Sequence, residues 1–90
     1  MADRLDKLRA TLSELDAELR SIDSLDDATR EELAQAAAEI AASLRRGKRS
    51  EQTRKAEDSL QNKLAEFEAG YPQLAGIVSR LLDGLAQLGI

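Results

Sequence analysis

The apolar residues near the start of the chain keep a strict rhythm. Leu5, Leu8, Leu12, Leu15, Leu19 and Ile22 are separated by three, four, three, four and three positions, the repeat that returns a side chain to the same stripe of an α-helix. Every large apolar residue between positions 2 and 22 lies on that stripe; the others are charged, polar or small. The spacing predicts a first helix over 2–22, about 30 Å long. So narrow a stripe suits a coiled-coil seam better than the broad face of a globular helix, yet it falls short of three heptads and cannot stand alone. It needs partners from the same chain or from another copy. The narrow seam and the short chain favour another copy, with the inner face of an intramolecular bundle as the other reading.

Ser24-Leu25-Asp26-Asp27 ends this helix and starts the next. Asp26 is the better N-cap candidate, because a carboxylate there accepts from exposed amides and faces the positive helix end. Thr29-Arg30-Glu31-Glu32 also fits a capping box, which leaves the start open by one turn. A second helix over 28–46 then places Leu33, Ala37, Ile40 and Leu44 on one face, among alanines that let a neighbouring helix come close. If it ran on through Gly47, Leu60 would point about 160° away from Leu44 at 100° per residue. A break at Arg45-Arg46-Gly47-Lys48-Arg49-Ser50 avoids this, with Gly47 ending one helix and Ser50 capping the next.

A third helix over 51–69 carries Leu60, Leu64, Phe67 and Tyr71 on one face, completed weakly by Thr53 and by Ala56 or Glu57. Ala69-Gly70-Tyr71-Pro72 is the clearest boundary: glycine suits a left-handed helix end and proline the first position of a new helix. The fourth helix, 72–88, has the broadest stripe, with Leu74, Ile77, Val78, Leu81, Leu82, Leu85 and Leu88, and only Arg80 and Asp83 charged. Such a helix is expected to be the most buried element or an interface. Leu88-Gly89-Ile90 fits a Schellman ending with Ile90 folded back.

Composition sharpens the picture without changing it. Ninety residues support one domain with a modest core, so added burial in an oligomer is expected. With 2% aromatic residues that core must be aliphatic. There is no cysteine, which removes disulfides and thiolate metal sites. The start, Met1 to Asp6, alternates charge and has no apolar h-region, and no apolar run reaches the ~18 residues of a membrane span. A soluble cytoplasmic chain is expected.

Two stretches also resemble a known family. Leu25-Asp26-Asp27-Ala28-Thr29-Arg30-Glu31-Glu32-Leu33, and the closing run from Phe67-Glu68-Ala69-Gly70-Tyr71-Pro72-Gln73-Leu74-Ala75 through Leu85-Ala86-Gln87-Leu88-Gly89-Ile90, are similar to short bacterial proteins grouped as domain of unknown function 4404. The likeness covers essentially the whole chain, and its motifs are helix punctuation and helix faces. Tyr71 stands where the family often has histidine, which weakens a metal or acid–base role there. The resemblance implies a helical fold and a bacterial cytoplasmic origin, and supplies no activity.

The candidate chemistry is thin. Without histidine, the Glu-x-x-His pairs of helical di-metal sites cannot form, and no glycine-rich phosphate loop is present. Asp26/Asp27 and Glu31/Glu32 are paired carboxylates, but acid–base work needs a pocket that drives their pKa values apart, and acids at a helix start are normally caps. Tyr71, beside Pro72, reads as a half-buried packing residue with its hydroxyl near water. No enzyme activity, cofactor or metal is expected.

The basic cluster is the most informative charged feature. Arg45, Arg46, Lys48, Arg49, Arg54 and Lys55 against Glu51 give a local charge of +5 in a chain of net −4. Phosphate backbones reward such clusters, but no aromatic is interleaved for stacking. A solvated turn that complements a helix C-terminus and the acidic stretch 23–32 is the simpler reading, and nucleic acid is not the expected partner. The fourth helix lacks the lysine-rich face and interfacial aromatics of a membrane-surface helix.

These readings converge on an all-α fold, four helical segments in antiparallel hairpins forming a bundle or coiled-coil-like assembly. The expected role is non-catalytic protein–protein association, as a homo-oligomer (dimer or tetramer) or with an unidentified protein partner. Leu5, Leu8, Leu12, Leu15, Leu19 and Ile22 form the first expected seam, and Leu74, Ile77, Leu81, Leu85 and Leu88 the second. The alternative is weak nucleic-acid or polyanion binding through the basic turn at residues 45–55.

Overall fold

A computed structural model describes residues 2–47 and 50–88, with side chains from 4 to 47 and from 50 to 87. Four helices account for nearly all of them: α1 (Ala2–Ser21), α2 (Asp27–Arg46), α3 (Glu51–Gly70) and α4 (Pro72–Leu88). Each packs on two neighbours, closing the ring α1–α2–α3–α4–α1. Helices of 20 residues are about 30 Å long, so they run nearly the full 36 Å length of the molecule. Cross-links at the two ends fix the up-down-up-down order. Tyr71 Oη donates to Ser24 O at 3.2 Å, uniting the α1–α2 and α3–α4 junctions at one end. Arg4 donates to Gln87 O at 3.4 Å near the other end, where α1 begins and α4 closes.

The punctuation follows local chemistry. Asp26 is the N-cap of α2, extended in backbone and accepting from Thr29 N at 3.3 Å, so the helix starts at the earlier of the two candidate positions. Gly47 ends α2 at φ 76°, a left-handed conformation that glycine adopts without a Cβ clash. Ser50 caps α3, its hydroxyl accepting from Thr53 N at 3.2 Å. The break expected at 45–50 is therefore a capped turn between two helices.

The α3–α4 junction corrects one expectation. Gly70 is the last helical residue of α3 and is not left-handed; among the described residues, the positive φ belongs to Gly47. Proline restricts the residue before it to extended conformations, so Tyr71, at φ −139° and ψ 74°, makes the corner instead. Its amide donates to Phe67 O at 2.6 Å and its carbonyl accepts from Ala75 N at 3.0 Å. One residue thus closes α3 and opens α4. The Schellman ending at Gly89-Ile90 lies outside the described residues.

The core is aliphatic, as the composition requires. Leu15, Leu33, Ile40, Leu60, Leu74, Val78 and Leu81 are completely excluded from solvent, and the aromatic Phe67 beside them is 2% exposed. Among its described residues α4 buries Leu74, Ala75, Ile77, Val78, Leu81 and Leu85, in line with the first of the two roles expected of it, a buried element. Leu25, in the α1–α2 loop, is buried too, so the loop is anchored from beneath. Thr53 sits in the core with its hydroxyl 3.0 Å from that of Ser50, and buried Thr11 donates to Lys7 O at 2.8 Å.

Two glycines of α4 face opposite circumstances. A Cβ on Gly76 would meet nothing within 4 Å, whereas one on Gly84 would lie 2.5 Å from Cδ2 and 3.2 Å from Cγ of Leu8. Alanine in a helix interior gains about 0.5–1 kcal/mol over glycine, while forced overpacking costs about 1–3 kcal/mol. Urea unfolding should therefore show Gly76→Ala stabilised by about 0.5–1 kcal/mol and Gly84→Ala neutral or destabilised. An equal gain from both would show that α1 and α4 are not in close contact at Gly84.

Candidate interaction surface

The structure turns both expected seams inward. Leu8, Leu12, Leu15 and Leu19 are buried in the core of a single chain, with Leu5 and Ile22 half-buried at its edges. Leu74, Ile77, Leu81 and Leu85 belong to the same core; Leu88 ends α4, and its side chain lies outside the described residues. α1 and α4 pack on each other, with Leu8 close against Gly84. The expectation that the first stripe faces another copy is corrected accordingly: α4 presents a face broad enough to receive it within the chain.

The basic residues stay at the surface. Arg45 and Arg46 occupy the last turn of α2, where a cation complements the helix dipole, and both are exposed, as are Arg54 and Lys55 in the first turns of α3. Lys48 and Arg49 lie outside the described residues. Arg46 reaches Ser50 Oγ at 3.5 Å. Arg54 and Lys55 share a shallow depression with Glu51 and Asp58, and Lys55 and Lys63 line another with Glu32, Asp58 and Glu66. The basic cluster becomes a mixed-charge surface once α3 winds its acids between its bases.

The most consequential polar residue is one that sequence reasoning passed over. Arg30, half-buried in the first turns of α2, donates to the carbonyls of Leu19, of Ile22 at 2.9 Å and of Leu25 at 3.0 Å. Those oxygens belong to the end of α1 and to the loop, where helix geometry leaves carbonyls without partners. A cation early in α2 opposes that helix's own dipole, which was the available signal. The hairpin resolves it by laying Arg30 against the negative end of α1.

Other side chains tie neighbouring helices. Arg80 grips Glu14 with two hydrogen bonds, 3.0 and 3.3 Å, joining α4 to α1. Glu32 accepts from Ser59 at 2.6 Å and lies 3.6 Å from Lys63 Nζ, joining α2 to α3. These pairs are largely exposed, so each contributes less than about 1 kcal/mol and chiefly fixes register. The acids weighed as an acid–base pair are placed otherwise: Asp26 caps α2, and Asp27 is exposed in its first turn. The Thr29 hydroxyl, and then its amide, hold the Asp26 carboxyl below its ordinary value. Among the described residues no three acidic side chains converge to hold a metal ion, and no helix is long and apolar enough to cross a membrane.

The architecture defines a small, closed, antiparallel four-helix bundle whose polar side chains cap and tie helices. The chain belongs to the family described as Domain of unknown function (DUF4404), whose model matches residues 8–90. No curated protein and no solved structure matches it.

Two measurements check these assignments. Hydrogen bonds made by a charged group contribute about 1.5–3 kcal/mol, so Arg30→Ala should lose about that much in urea unfolding. Arg30→Lys should recover less than half, because an ammonium cannot span three carbonyls as a guanidinium fork does; full recovery by lysine would contradict the fork. For Asp26 the folded-state pKa is the lower one. Its contribution is therefore present above the unfolded value and lost as pH falls through the folded one. The stability difference between wild type and Asp26→Asn should be constant above about pH 5 and shift against wild type below about pH 4. A pH-independent difference would remove Asp26 as the titrating cap.

Proposed function

We propose that this chain is a non-catalytic helical module of the bacterial cytoplasm that acts by protein–protein association, including self-association, without metal or cofactor. The observation that carries this reading is how its reactive side chains are employed. Asp26 and Ser50 cap helices, the Tyr71 hydroxyl binds a loop carbonyl, Arg30 gathers three more, and Glu14, Glu32, Lys63 and Arg80 bridge helices. What is left outward is a set of polar helix faces about 30 Å long, which can associate through complementary charge. The second reading, weak polyanion binding, rests on exposed Arg45, Arg46 and Arg54 near one end; Glu51 and Asp58 beside Arg54 oppose it.

Light scattering coupled to size exclusion tests the principal reading. The weight-average mass should rise above the 9.8 kDa of one chain as concentration increases from micromolar to submillimolar. A folded 9.8 kDa species throughout that range would overturn self-association. Salt-sensitive binding to an anionic duplex that is lost in Arg45→Ala/Arg46→Ala would instead favour the second reading.

A further inference from the structure

The outward face of α2 is divided by charge. Its buried side carries Leu33, Ala36, Ala37, Ile40, Ser43 and Leu44. On the opposite side, Glu31, Ala38 and Arg45 follow one another at intervals of seven residues, and all three are exposed. Two helical turns nearly separate each from the next, so they lie on one line along the helix. Neither Glu31 nor Arg45 has an ion-pair partner among the described residues. Small residues flank the centre of this line: Ala34 is exposed and Ala42 half-buried.

We propose that two copies of this chain pair through α2, antiparallel about a two-fold axis at Ala38. Rotation about that axis brings Glu31 of each copy opposite Arg45 of the other, because both lie about 10 Å from the centre at 1.5 Å per residue. One interface thus forms two identical charge pairs, the self-complementarity that a two-fold contact requires. A parallel pairing would instead set Glu31 against Glu31 and Arg45 against Arg45. Charge therefore selects both the occupant and its direction, and the alanines let the helices approach closely enough for the pairs to form. Exposed pairs are screened by salt, so the dimer is weak and salt-sensitive.

This inference rests on the self-association reading, and its test separates the two. Dimerisation is measured by sedimentation for wild type, Glu31→Arg, Arg45→Glu and the Glu31→Arg/Arg45→Glu double variant, with helicity checked by circular dichroism. Each single variant replaces two attractive pairs by two repulsive ones and should weaken the dimer about tenfold; the double variant should regain wild-type affinity. Both changes oppose the α2 dipole, so a purely structural effect would make the double variant the weakest. A dimer unaffected by either single change, or weakest in the double variant, overturns the α2 pairing and leaves self-association standing. A wild type that never dimerises overturns both. As a second readout, Ala38→Cys introduces a thiol into a cysteine-free chain. Under mild oxidation it should cross-link at least tenfold faster than Ala65→Cys, on exposed α3 surface; equal rates overturn the placement of the axis.

Discussion

The bundle depends on the fit between a narrow stripe and a broad one. α1 offers a single line of leucines, and α4 offers an apolar face wide enough to cover it while still packing on α3. At Gly84 the missing Cβ leaves room for Leu8. Helices this short gain little stability from backbone propensity alone, and most comes from tertiary burial. Opening the α1–α4 contact would expose Leu8, which lies against Gly84, and would leave α1 packed on α2 alone. The order α1–α2–α3–α4 in a ring follows from closing that last contact.

The polar residues act within this frame. Short connections force each helix end beside the start of its neighbour, and unpaired carbonyls at those ends must be satisfied. Arg30 does this for α1, while Tyr71 ties the two junctions together at the same end of the molecule. At the opposite end, Gly47 and Ser50 make the turn between α2 and α3. The capping and bridging side chains named here serve the architecture.

Much of this was legible from spacing. The four helices, the N-caps at Asp26 and Ser50, the left-handed Gly47 and Pro72 at the start of α4 follow from local rules whose causes lie within a few residues. The departures have non-local causes. Gly70 was expected to be left-handed, but the restriction proline places on Tyr71 already turns the chain. The direction in which the first stripe faces was not legible, because a heptad seam looks the same whether its partner is α4 or another copy. Arg30 was missed for the same reason: its acceptors lie on the preceding helix, and only the hairpin brings them within reach. The basic cluster, already interrupted by Glu51 in sequence, is further mixed once α3 brings Asp58 beside Arg54 and Lys55.

The central claim is that the α1 seam is closed within one chain. Amide hydrogen exchange of α1, followed while the protein is diluted from submillimolar to submicromolar concentration, tests it most directly. A seam sealed within the chain keeps the amides around Leu12 and Leu15 equally protected at every concentration. Protection there that collapses on dilution, while α4 remains protected, would place the partner of α1 in another molecule.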